Sequence, residues 1–261
     1  MATIRLPAVA GTFYPEDPAS LKQTVRHLLN QANSRQVIPK ALIVPHAGYI
    51  YSGPVAASAY VLLQQRSEIN RVVLLGPSHR VPLLGIAAST ASSFATPLGN
   101  ICVDQEKITQ LTEKNLASYL DQAHQLEHSL EVHLPFLQQA LPEPFVLLPL
   151  VVGETSAQEV ADLLEFLWDG PETLIVVSTD LSHYHDYATA KQMDSATSRA
   201  IEDLRYQDIG YDQACGRNPL SGLLLLARQK GLQCELLDQR NSGDTAGPRD
   251  QVVGYGAYAI Q

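Results

Sequence analysis

The sequence predicts a three-layer α/β/α domain built on a central, largely parallel or mixed sheet, and two observations carry that reading. Strand-like apolar runs alternate with segments of helical spacing along the whole chain, the order that places helices over both faces of one sheet. No linker-like composition, repeat or low-complexity tract divides the 261 residues, so a single domain, 1–261, is expected.

The elements follow in order. A helical segment at 18–32 precedes "ALIVP" (41–45), which is apolar at successive positions, as a strand covered on both faces should be. Segment 54–66 has helical spacing and leads to "RVVLLG" (71–76) and "LGIAAST" (84–90). Helical spacing returns at 105–115 and 129–140, ahead of the apolar run "FVLLPLVVG" (145–153). Segment 156–168 connects this run to "TLIVVST" (173–179). Two more helical segments, 187–204 and 219–230, come before "CELL" (234–237) and the glycine-containing "VVGYGAYAI" (252–260).

Composition narrows the functional classes. The net charge of -9 comes from 27 acidic against 18 basic residues without a Lys/Arg cluster, which disfavours a phosphate backbone as partner. No apolar run approaches the roughly 20 residues of a membrane span, and "MATIRLPAVAGTFYPED" lacks the order of a signal peptide, so a cytoplasmic protein is expected. Cys102, Cys215 and Cys234 are odd in number and lack CxxC spacing, which suits reduced thiols, mostly in core packing.

Chemistry gathers where strands end. In open α/β sheets ligands bind outside the carboxyl ends of the strands. His46 follows "ALIVP", His79 follows "RVVLLGPS", and Asp180, His183 and His185 follow "TLIVVST". One such histidine is most simply a loop residue bonded to a carbonyl, but three strands delivering imidazole or carboxylate to one edge indicate a site. Two histidines and a carboxylate with open positions form the ligand set of non-haem Fe(II) oxygenases. Asp180 and Asp244, in the turn-rich "QRNSGDTAG", are the available oxygen donors.

A further cluster, "HQLEHSLEVHLPFLQQALP", carries His124, Glu127, His128, Glu131 and His133. His128 and Glu131, three apart on a helix, share a face, and His128 is the candidate acid or base. Glu127 and Glu131 are explained equally well as carboxylates at the favourable end of a helix dipole. Tyr49, Tyr51 and Tyr184 are candidates to wall the pocket, though plain packing is the stronger reading for Tyr51. His27 reads as a surface or packing residue.

The stretches "RLPAVAGTFYP", "PHAGYIYSGPVAASAY", "LLGPSH", "EHSLEVHLPFLQ", "STDLSHY" and "CGRNPL" together resemble the Memo family, from the N-terminus to the last strand. The bacterial members of that family belong to the AmmeMemoRadiSam system as its protein B. The resemblance implies the fold of the class III extradiol ring-cleavage (LigB-like) dioxygenases, an α/β/α sheet whose metal site uses two histidines and a glutamate. It puts metal histidines at His46 and His79, and further pocket residues at Asp180 and His183. It sets His128 and His133 in a shared helix motif. Animal members have a cysteine as third metal-site residue in the loop before the last strand, whereas here Asp244 falls at or beside that position. A facial triad of His46, His79 and Asp244 favours Fe(II), with Cu or Zn as alternatives, and leaves His128, His183 and Asp180 as catalytic candidates. The expected function is that of a dioxygenase-like oxidoreductase. The alternative is a non-catalytic metal- or peptide-binding protein acting with radical-SAM and AMMECR-like partners.

Overall fold

The structure, a computed structural model, describes residues 3–33, 35–142 and 144–261. The chain begins with β1 (Ile4–Arg5), α1 (Pro18–Gln31), β2 (Ala41–Val44), α2 (Tyr49–Tyr60), β3 (Arg71–Pro77) and β4 (Ile86–Ala88). It continues through β5 (Ser93–Thr96), β6 (Gly99–Cys102), α3 (Gln105–Glu113) and β7 (Ser118–Tyr119) to the short helices α4 (Asp121–Gln125), α5 (His128–Glu131) and α6 (Leu134–Ala140). Then come β8 (Val146–Val152), α7 (Ala157–Phe166), β9 (Thr173–Ser178), β10 (His183–His185) and α8 (Tyr187–Glu202). The chain closes with α9 (Arg217–Gln229), β11 (Cys234–Asn241) and β12 (Val252–Ile260).

Nine strands form one mixed sheet in the order β10-β12-β2-β9-β3-β8-β4-β7, with β11 paired to β12 beside that path. Its centre, β2, β9, β3 and β8, is parallel, while β12 and β4 run antiparallel to their neighbours β2 and β8. All residues of β2 and β9 are buried, as are all but the first of β3 and β8. Strands covered on both faces have no wet side to supply with polar residues, which is why these four read as unbroken apolar runs. Helices α1, α2 and α6 pack together with α2 against β2 and β12, while α7 packs on α9, which lies against β3 and β9. The sheet is the middle of these three layers. Helix α1 starts where Asp17 Oδ1 accepts from Ser20 N at 2.8 Å with Pro18 in the first turn, and it buries Leu21, Val25 and Leu29 at four-residue spacing.

Several boundaries differ from the sequence reading. Helix α2 starts at Tyr49 instead of 54, with Gly48 as its N-cap and Pro54 inside it. Burial of Ser52, Gly53, Val55, Ala56 and Ala57 outweighs the breaker character of the Gly-Pro pair. Segment 129–140 divides into α5 and α6 because Pro135, which has no N–H to donate, starts a new helix. Strand β11 runs past "CELL" to Asn241, since β12 offers it a partner as far as Gly254. The small sheet β1-β5-β6 has strands of two to four residues, too short for a periodic signal. Among the described residues no helix is long and apolar enough to cross a membrane.

Candidate functional site

Strands β2, β9 and β3 are neighbours in that order and point the same way, so their carboxyl ends make one edge. His46, Asp180 and His79 each stand two residues past one of these ends, after Val44, Ser178 and Pro77. The rings of His46 and His79 are 5.1 Å apart. His128, the first residue of α5, adds a third ring 5.5 Å from His46 and 4.7 Å from His79. One nitrogen from each lies within 4.8 Å of the others, and among the described residues this is the one group of three or more such side chains able to hold a metal ion.

Hydrogen bonds decide which nitrogens are free. The Ser178 hydroxyl donates to Ser129 O at 2.6 Å, so its proton is committed. It therefore accepts from His46 Nδ1, 2.6 Å away, which leaves Nε2 of His46 as the bare lone pair. Glu127 Oε1 lies 2.9 Å from His79 Nδ1, which makes that nitrogen a donor and turns Nε2 of His79 outward. A carboxylate holding the far side of an imidazole in this way is what metal-ligating histidines use. Nδ1 of His128 is buried without a partner from the protein; at 3.4 Å from Glu127 Oε1 it is out of hydrogen-bonding alignment. Two lone pairs of fixed direction and one buried, unpartnered nitrogen fit a transition-metal ion.

Protonation follows from burial. Burial, reinforced by the neighbouring His79 and His128, depresses the His46 imidazole well below its usual range. Burial and the His79 ring bring His128 down to about 4. Burial alone would raise the Glu127 carboxyl, but the bonds and charge of His79 and the Ser129 amide hold it at about 2. Burial also lifts Asp180 to about 7, although it accepts His46 N at 2.8 Å. Lowered pKa values mean neutral imidazoles, the form that binds metals.

The group opens into a cavity of about 590 Å³ lined by Phe13, Tyr51, Asp180, His183, Tyr184 and Tyr255 among others. Tyr184 is 71% exposed at the rim and has φ +60, a left-handed conformation that is costly for an aromatic residue. The loop carrying Asp180 and His183 is pinned from behind, where Asp194 Oδ1 accepts Ser182 N at 3.0 Å. Gly254 makes room for that carboxylate, since a Cβ there would meet Asp194 Oδ2 at 2.0 Å.

His46, His79, His128, Asp180 and His183 thus come together, whereas Asp244 stands apart. Its Oδ2 accepts Asn241 N at 3.1 Å and its Oδ1 accepts the Tyr187 hydroxyl at 2.7 Å. In this structure His128, and not Asp244, is the third member beside His46 and His79. Ser242 and Gly247 of the same loop do line the cavity. Tyr49 is also elsewhere: buried at the start of α2, it donates to Val132 O at 2.6 Å, the acceptor its hydroxyl needs in the core. Nε2 of His124 donates to Ala87 O at 3.1 Å, and His27 is exposed.

Three contributors escaped the sequence reading. Ser178 ends a strand as an ordinary residue, Glu127 read equally well as a helix-dipole carboxylate, and Cys215 read as core. Cys215 Sγ lies 3.4 Å from His46 Nε2, and burial pushes its thiol up to about 12. Its only trace in the sequence is its place in the "CGRNPL" stretch.

Fold and site define a class: an α/β/α protein with an imidazole-rich pocket at the carboxyl edge of its parallel strands. The chain belongs to the Memo family, whose description, Memo-like protein, matches residues 5–259. It is 34% identical to a MEMO1 family protein of Saccharolobus solfataricus, over 96% of this chain and 97% of that one. With a MEMO1 family protein of Saccharolobus islandicus the identity is 36% over the same shares. With one of Aquifex aeolicus it is 36% over 97% of each chain.

Proposed function

We propose that this protein is a metal-dependent, dioxygenase-like oxidoreductase of the cytoplasm that acts on a small planar oxygen donor of the catechol type. The observation that carries this is the convergence of His46, His79 and His128 on an aromatic-walled cavity, with two of the three tautomers fixed by Ser178 and Glu127. A divalent ion held there, Fe(II) first and Cu or Zn as alternatives, would supply Lewis acidity and, as iron, a redox couple. Phe13, Tyr51 and Tyr255 offer flat faces to a planar ring and displace water. His183 lines the cavity and burial keeps its imidazole neutral, which supports a role for it in taking a proton from a substrate hydroxyl. Asp180, which burial raises to about 7 and which also lines the cavity, would hold or return one.

A second reading has one observation in its favour. Three neutral imidazoles differ from the two-histidine, one-carboxylate set of iron oxygenases and match a zinc site with an open position. Metal analysis of protein purified without air, then oxygen uptake across catechol-like compounds after reloading with iron or zinc, separates the two. Uptake that needs iron and vanishes in His79→Ala supports the oxidoreductase. Zinc as the metal of the isolated protein, with no oxygen uptake after reloading with iron, supports the zinc reading, and equal metal content in His79→Ala and wild type removes the site.

A further inference from the structure

We propose that the groove beside helices α1 and α2 is a docking site for an acidic amphipathic helix of a partner protein, independent of the metal-site reading above. The groove has a volume of about 1140 Å³ against 590 Å³ for the imidazole-lined cavity. Pockets for single small molecules span about 300–1,000 Å³, so an open groove of this size fits a chain segment better than a compact ligand. One wall is a stripe of α1, Ala19, Lys22, Gln23, Arg26 and Asn30, which at the rise of an α-helix runs for about 16 Å, or about three turns. Phe13, Tyr49, Ile50 and Pro54 add an apolar surface. Ile50 is 67% exposed, although Tyr49 beside it is buried.

Charge defines the partner. The chain carries 27 acidic against 18 basic residues, yet the charged residues lining the groove are the cations Lys22 and Arg26, with His27 beside them. Asp17 is occupied as the N-cap of α1, accepting Ser20 N at 2.8 Å, and neither it nor Glu16 is part of the lining. Arg35 and Lys230 show the usual fate of a surface cation, pairing with Glu235 and Glu165, whereas Lys22 and Arg26 form no ion pair among the described residues. Four apart on α1, Lys22 and Arg26 repel one another, a cost that an acidic partner reverses. A cationic stripe beside an apolar surface takes a helix with apolar residues at three- and four-residue spacing and Asp or Glu on the flank that meets α1.

The test is selection from a displayed library of random 14-residue helix-forming peptides on the full-length protein, followed by fluorescence anisotropy with the peptides enriched. These should be acidic, with apolar residues at i, i+3 or i+4 and i+7. They should bind the double variant Lys22→Glu, Arg26→Glu about ten-fold more weakly, and less tightly still as salt is raised. Ile50→Ser should weaken them about ten-fold as well, through lost apolar burial. Exchanging the acidic residues of the peptide for lysine should restore binding to the double variant, which a misfolded variant could not show. The proposal is overturned if no peptide is enriched, if the enriched peptides carry no net negative charge, or if wild type and variants bind them equally. Self-association of wild type in sedimentation velocity that the double variant abolishes also overturns it, because the occupant is then a second copy of this chain. Binding to phosphatidylglycerol vesicles that the double variant abolishes does the same, because the occupant is then a lipid surface.

Discussion

Glu127 grips His79 twice: Oε1 lies 2.9 Å from the ring Nδ1 and Oε2 2.6 Å from the backbone nitrogen, so one carboxylate fixes both the imidazole and the loop that carries it. It also accepts Ser129 N at 2.9 Å, which ties the start of α5, and with it His128, to the same anchor. Glu127→Gln keeps the shape but loses the charge and half of the acceptors. Zinc or iron affinity, measured against a chelator, should fall about ten- to a hundred-fold, the usual cost of losing such a partner. Unaltered affinity would mean that the loop holds His79 without help.

Asp244 caps its own turn. Asn241 and Asp244 bond reciprocally across the Ser242–Asp244 turn, and Tyr187 uses the remaining carboxylate oxygen. Asp244→Ala should lower the unfolding free energy by about 1 kcal/mol, as loss of a cap does, with metal content unchanged. Asp244→Cys should not shift preference from iron toward copper. Metal loss in the alanine variant would bring Asp244 into the ligand set through movement of the loop.

The legible parts were those in which neighbours along the chain share a fate. Strands β2, β3, β8 and β9 are buried on both faces, so their character is local, and a residue just past a strand end is on the edge wherever that strand lies in the sheet. His46, His79 and Asp180 could be read for that reason. The shared face of His128 and Glu131 misled, because α5 is a single turn of four residues. His128 faces the other imidazoles, while Glu131 faces Arg5 and the N-terminal segment. Ser178 and Cys215 meet His46 across separations of 132 and 169 residues, for which a single sequence holds no signal. Asp244 was ambiguous in the sequence because turn chemistry and ligation ask for the same residue type, and in this structure its carboxylate serves the turn.

Glu131 is the anchor of the N-terminal segment. Fully buried, it pairs with Arg5, accepts Ala8 N at 2.8 Å and Val9 N at 3.0 Å, and takes the Tyr14 hydroxyl at 2.6 Å. Removing its charge strands the buried Arg5 guanidinium. Glu131→Gln should therefore cost about 3–5 kcal/mol in urea unfolding. Amide exchange at Ala8 and Val9 should quicken first. Adding Arg5→Leu should recover part of the loss, because the stranded charge is then gone. A double variant no more stable than the single one would show that the backbone bonds, and not the ion pair, carry the cost.

Acid should weaken the fold through buried histidines outside the pocket. Burial brings His124 down to about 4 and His133 to about 3. An unfolded histidine titrates near 6.5, so below that pH the unfolded chain takes up protons that the folded chain refuses. Their contribution is complete above about pH 6.5 and is lost as pH falls toward the folded values, at no more than about 1.4 kcal/mol per pH unit for each histidine. Urea unfolding of chelator-treated protein at pH 7.5, 6 and 5, chosen to span the upper part of that window, should show the decline. Nδ1 of His133 lies 2.8 Å from the Tyr60 hydroxyl, so His133→Gln should be less stable at pH 7.5. It should also lose stability less steeply toward pH 5, because one proton-refusing group has been removed. A variant curve parallel to that of wild type would take His133 out of the acid response.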